Sequence, residues 1–217
     1  MPEPLNEFKM KEELADIDTP DIYPIEELLS DANDVCKLYS LLSEESLTRL
    51  TMLLEGLLEN ASDALFEHAQ NESEPIKLQA YFNTMRALKN SAEPMMSRFA
   101  ELIELSWRDV GNVALFEIDD DAEGKAAEFI KRMSRKTHVL FAPLLADLAI
   151  TFSQEEPISN YKHPLDPIVI SRIFWASTDE LKLSIKERLL VLPLFRRFVL
   201  DSYGQVLAPI REILRAL

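Results

Sequence analysis

From Leu47 to Leu65 an apolar side chain returns every three or four residues (Leu47, Leu50, Leu54, Leu57, Ala61, Leu65), and Leu53 and Leu58 widen the stripe. That period is helical, and a stripe of this width belongs to a helix buried on a broad face. Only four glycines occur (Gly56, Gly111, Gly124, Gly204), and no run alternates apolar and polar residues long enough to make a strand. The chain is therefore expected to be all-α, a single bundle-like domain of about six to eight helices over residues 28–217.

Local signals set the expected boundaries. Ser30 or Asp31 can cap a first helix running to about Leu42, and Ser43, followed by Glu44 and Glu45, starts a second one to Gln70. Ser73-Glu74-Pro75 opens a third, and Ser91 to Pro94 a fourth that ends near Trp107, before Gly111. Asp119 to Asp121 lead into a helix striped by Phe129, Met133, Leu140, Leu144 and Leu148 and bent at Pro143. Ser153 to Pro164 is the linker candidate. Beyond it, Asp166-Pro167 caps a helix, Ser184 and Glu187 have the spacing of a capping box, Pro193 should kink the last segment and Gly204 divide it.

With 217 residues, 47% of them hydrophobic, the chain can bury roughly 70% of its unfolded surface and needs no covalent staple. Cys36 is alone, so no intramolecular disulfide forms and a reducing compartment fits. The N-terminal residues are acidic, and the longest apolar run, Val139 to Ala146, is too short to cross a bilayer. The expectation is a soluble cytoplasmic protein with no membrane partner. A net charge of −15 argues against nucleic acid, whose phosphates demand cations.

The charge is uneven: residues 1–34 hold eleven acids and two lysines, whereas residues 181–217 hold seven Lys/Arg and three acids. Residues 1–27, with Pro2, Pro4, Pro20 and Pro24, have too few hydrophobes to offset the entropy of ordering and read as a flexible acidic arm. Within the arm, Phe8, Ile17, Ile22, Tyr23 and Ile25 are the apolar anchors of a short recognition peptide.

No motif points to chemistry. His68, His138 and His163 lack ligand spacing, so no metal or other cofactor is expected. His68 reads as a helix-end or core-edge residue, His163 as a turn former, Cys36 as an inert thiol, and the acidic pairs Glu12-Glu13, Asp119 to Asp121 and Glu155-Glu156 as solvated loop charges. Cations are the stronger signal. Lys125, Lys131, Arg132, Arg135 and Lys136 crowd one stretch against Glu128 alone, with Lys131, Arg135 and His138 on one helical face able to receive a phosphate, a nucleotide or an acidic segment. The ordinary alternative is a solvated face. Arg196 and Arg197 interrupt an apolar run from Leu189 to Leu200, which suggests either a groove or an internal ion pair. Leu200, Tyr203, Leu207, Ile210 and Leu214 repeat in steps of three and four: a seam that can pair two copies, or the core face of a terminal helix.

Three islands carry a resemblance: DALFEHAQNESEPIKLQAYFNTMRALK (Asp63 to Lys89), LFEIDDDAEGKAAEFIKRMSRKTHVLFAPLLADL (Leu115 to Leu148) and HPLDPIVISRIFWASTDELKLSIKERLLVLPLFRRFVL (His163 to Leu200). Together they are similar to a large proteobacterial family of unknown-function proteins, some of whose members carry the label thymidine phosphorylase. The resemblance implies an α-helical bacterial protein, of which this chain would be a compact version, and it brings no established reaction, cofactor or catalytic residue. Where the family is expected to show an Asp-Arg-His type of triplet this chain has Arg196-Arg197-Phe198, and Pro193 stands where a lysine is expected. The phosphorylase label gains nothing from the residues, which offer neither a glycine-rich phosphate loop nor alternating strands and helices. The expected function is thus a non-enzymatic regulator or adaptor acting through contacts with another protein, as a monomer or homodimer. The alternatives are a module responsive to a nucleotide second messenger and a helical hydrolase or transferase.

Overall fold

A computed structural model describes residues 32–108, 120–152 and 163–215, and these are helical nearly throughout, with no strand among them. The helices are α1 (Ala32–Gln70), α2 (Pro75–Arg108), α3 (Asp120–Leu140), α4 (Ala142–Phe152), α5 (Pro167–Ser177), α6 (Ile185–Arg188), α7 (Leu192–Phe198) and α8 (Gly204–Arg215), with 3₁₀ turns at Thr178–Leu181 and Leu200–Ser202. The N-terminal arm with its five anchors, the side chain of Cys36, the loop around Gly111 and most of the expected linker, through Lys162, lie outside the described residues.

α1 and α2 form an antiparallel hairpin. At one end His68 stacks on Tyr81 with ring centroids 6.2 Å apart, and at the other the Trp107 indole N–H donates to Ser46 Oγ at 3.0 Å. The Leu50, Leu54, Leu57, Ala61, Leu65 stripe is fully buried, as its period requires. No second helix starts at Ser43. The segment lacks Gly and Pro, and the Ser46 hydroxyl donates to the Ser43 carbonyl within an unbroken helix. α2 likewise runs through the expected break, but with a kink: Ser91 leaves helical geometry (φ −123°, ψ 22°). Pro94 is the cause, because its ring clashes with the carbonyl four residues back and it has no N–H to offer.

The C-terminal helices close the other side of the core. α5 packs on α2 and α3, α6 on α2, and α7 and α8 on α1, while α3 also touches α7. At the centre the Phe174 and Phe195 rings stack at 4.1 Å, and Trp175, Tyr203, Phe99 and Met95 are fully buried around them. α3 ends at Leu140 rather than bending at Pro143, which instead occupies the first turn of α4. Its buried face is Ala126, Ile130, Met133 and Thr137, while Phe129 and Leu140 sit half-buried at the edge.

The short C-terminal elements are set by their caps. Asp166 Oδ1 accepts from the Ile168 N–H at 2.8 Å with Pro167 in the first turn of α5, and Ser184 and Glu187 make a reciprocal capping box at α6. Pro193 does not kink a longer helix; it starts α7, where a missing N–H costs nothing. Gly204 does divide the segment, at the start of α8. Leu200, Tyr203, Leu207 and Ile210 are buried in the protein's own core and Leu214 is half-buried, so this spacing builds the core face and offers no open seam for a second copy.

Candidate functional site

Several buried polar groups hold the fold in place. His163, in the HPLDP turn, accepts the Leu165 N–H on Nδ1 at 3.1 Å, and its other ring nitrogen faces the Leu145 carbonyl. Burial pulls its pKa down to about 3 against that carbonyl's opposing effect, with His138 lowering it a little further, so the ring is neutral at physiological pH. The Tyr203 hydroxyl, its pKa pushed well up by burial, donates to the Leu165 carbonyl at 2.8 Å and pins the same turn to the start of α8. Ser134 and Ser171 share a hydrogen bond at 2.9 Å between α3 and α5. His163 is thus a turn former, and His68 an exposed helix-end residue, as their contexts suggested.

The buried arginine is one that the sequence did not single out. Arg188 is only 6% exposed: its guanidinium lies 4.0 Å over the Trp175 ring, donates to Thr178 Oγ1 at 2.9 Å and to the Trp175 carbonyl at 2.8 Å, and pairs with Asp179. The signal that could have found it is the capping box itself, because the helix register that puts Glu187 back on Ser184 turns the next residue inward. Arg172 on α5 is another arginine the sequence did not single out, its Nη1 buried without a hydrogen-bond partner.

Arg196 and Arg197 are exposed on α7, not buried in an internal ion pair. Positions 192, 194, 195 and 199 take the core side of that short helix, which leaves 196 and 197 facing out. On α3, Lys131, Arg132 and Arg135 are exposed as well. Lys131, Arg135 and His138 share one flank, where His138 Nε2 lies 3.9 Å from Asp166 Oδ2 at the start of α5. Arg132 takes the other flank, its guanidinium 5.3 Å from the centre of the half-buried Phe129 ring, and Arg197 repeats the arrangement over Phe198 at 5.3 Å. A ring under a guanidinium attracts it electrostatically and limits its freedom, so both groups are held out toward solvent.

Charge pairing separates these cations from some of the others, although Arg86, Lys89, Lys125, Lys182 and Lys186 are likewise exposed and outside the described ion pairs. Arg49, Lys77, Arg98, Arg108 and Arg215 each have a carboxylate three or four residues away in sequence. Among the described residues, no carboxylate lies within salt-bridge distance of Lys131, Arg132, Arg135, Arg196 or Arg197. None of the five lines the open groove of about 380 Å³ between α1 and α2, whose lining includes Tyr39, Leu47, Trp107, Glu44, Glu104 and Arg108. No cluster of metal-ligating side chains occurs among the described residues.

Compared with known sequences, residues 37–216 match the N-terminal domain of DUF1631, a family described as proteins of unknown function. The chain belongs to that family. No curated protein and no solved structure matches it. The matched span takes in every described helix except the first residues of α1 and leaves out the acidic segment before Lys37. What the three islands suggested, a family of unknown function and an all-helical chain, therefore holds for this DUF1631 domain. Among its described residues no helix is long and apolar enough to cross a membrane.

Proposed function

We propose that this domain is a non-enzymatic, cytoplasmic adaptor or regulator whose output is contact with another protein, and that its contact surface is the cationic side of α3 together with Arg196 and Arg197 of α7. The observation that carries the reading is the field of five exposed cations on α3 and α7 that have no carboxylate within salt-bridge distance among the described residues. Such a field costs self-repulsion, and it is relieved by an acidic partner segment. Two of the guanidiniums are already held over phenyl rings, so less side-chain freedom is lost when the partner arrives. The buried polar groups support a scaffold in preference to a reactive centre, since His163, Tyr203 and Arg188 are each committed to holding a turn or helix end. The cytoplasmic placement rests on the lone cysteine.

Affinity capture from the native cell extract tests this with three full-length baits: the parent, Arg132→Glu/Arg135→Glu, and Arg86→Glu/Lys89→Glu on α2 as a control with the same charge change. The expected result is a protein retained by the parent and the control but lost from the α3 variant, with retention falling as salt rises. Equal retention by all three baits would contradict the proposal.

A further inference from the structure

We propose that the acidic segment preceding α1, residues 3–27, docks onto the cationic face of α3 in its own chain and competes there with the acidic partner; the proposal rests on the reading of that face as an interface. The segment carries nine carboxylates against Lys9 and Lys11. Among the described residues, the face offers Lys131, Arg132 and Arg135 without carboxylate partners within salt-bridge distance, with Glu128 its one exposed acid, and apolar footholds lie beside them: Val139 is 68% exposed and Phe129, at the edge of the face, is half-buried. Ile17, Ile22, Tyr23 and Ile25 are the side chains that can use those footholds. Other surfaces are less suitable. The α1–α2 groove carries Glu44 and Glu104 beside Arg108, which already pairs with Glu104, and Arg98 pairs with Glu101, so α2 offers only the exposed Arg86 and Lys89 against the larger cluster on α3.

Reach sets no limit. The 31 residues before Ala32 can extend about 100 Å at roughly 3.3 Å each, whereas α1, the longest helix, spans about 60 Å at roughly 1.5 Å per residue. Tethering also lowers the affinity required. A linked segment is present at an effective concentration of about 1 mM, so a contact with a Kd of about 0.1 mM between separate molecules is closed about nine-tenths of the time. The partner then meets a face that is about tenfold less available.

Two measurements on the full chain test the proposal. The first is zero-length carbodiimide coupling of carboxylates to amines, mapped by mass spectrometry. Docking predicts adducts between the segment and Lys125 or Lys131 that exceed those to the exposed Lys89 and Lys182 by about fivefold. They should be independent of dilution, and fall to the reference level in Arg132→Glu/Arg135→Glu and in 1 M salt, where the screening length is about 3 Å. An even spread over the lysines overturns the proposal, as do adducts that dilute away, which would place the contact between copies. The second is a titration with a fluorescent oligoglutamate peptide. It should bind about tenfold more tightly when the nine carboxylates of the segment are replaced by amides; unchanged affinity removes the competition. Even coupling combined with extract capture that still needs Arg132 and Arg135 would remove the docking while leaving the interface in place.

Discussion

Replacing Arg188 by alanine should be among the most damaging single changes outside the apolar core. The guanidinium makes two hydrogen bonds to buried acceptors, Thr178 Oγ1 and the Trp175 carbonyl, each contributing about 1.5 kcal/mol for a charged donor. Its contact with the Trp175 face at 4.0 Å adds about 1–2 kcal/mol in a desolvated site. Two features temper the loss. Thr178 Oγ1 already donates to the Trp175 carbonyl at 2.6 Å, so neither acceptor is left wholly alone. Asp179 is 66% exposed and can be rehydrated, so that pair contributes under about 1 kcal/mol. The expected destabilisation is about 3–4 kcal/mol for Arg188→Ala, about half of that for Arg188→Lys, which keeps the charge and loses the fork, and under about 1 kcal/mol for Asp179→Asn. Urea unfolding followed in parallel by far-ultraviolet circular dichroism and tryptophan emission measures all three. If Arg188→Ala lies within about 1 kcal/mol of the parent, or Asp179→Asn costs as much, the reasoning fails, because the buried fork would then not hold this corner together.

Three further outcomes follow from named groups. His163 is held neutral in the fold, with a pKa near 3 against 6.5 for the free side chain, so between those values the unfolded chain binds the extra proton. Stability should therefore fall as pH drops below about 6.5, by up to about 1.4 kcal/mol per unit. His163→Asn, which keeps an acceptor for the Leu165 N–H, should flatten that part of the unfolding curve; an unchanged slope would contradict the assignment. Below the ordinary glutamate range a second loss is expected from Glu187, whose pKa is lowered chiefly by the Ser184 and Asn83 hydrogen bonds and whose stabilisation disappears on protonation. Lys182 has the described chain's one non-glycine positive φ, 53°, and Lys182→Gly should stabilise by about 0.5–1 kcal/mol in the same urea assay; a destabilisation would mean that the lysine side chain has an unrecognised role.

The helical class was legible because Leu50, Leu54, Leu57, Ala61 and Leu65 obey one period over about four turns, and burial follows period directly. Caps were legible where the side-chain chemistry is local, at Asp166 and at Ser184 with Glu187. Boundaries decided by long-range packing were not. Ser43-Glu44-Glu45 has the composition of a helix start, yet the apolar face continues across it from Leu42 to Leu50 and the helix with it. The arginines show the same limit. Arg196 and Arg197 attract notice because their neighbours are apolar, but α7 has only seven residues and its register turns both outward. Arg188 lies next to an ordinary-looking Ser-Ile-Lys-Glu start, and only the arrival of Trp175 and Thr178 from another element makes it a buried ion.

The account depends on the cations of α3 serving a partner and not the fold. The most direct measurement is made twice on Arg132→Glu/Arg135→Glu, once for the free energy of urea unfolding and once for retention of the captured protein. With both side chains exposed and without carboxylate partners among the described residues, stability should stay within about 0.5 kcal/mol of the parent while retention falls at least about tenfold. A loss of more than about 2 kcal/mol with retention intact would show these arginines to be structural and contradict the central claim.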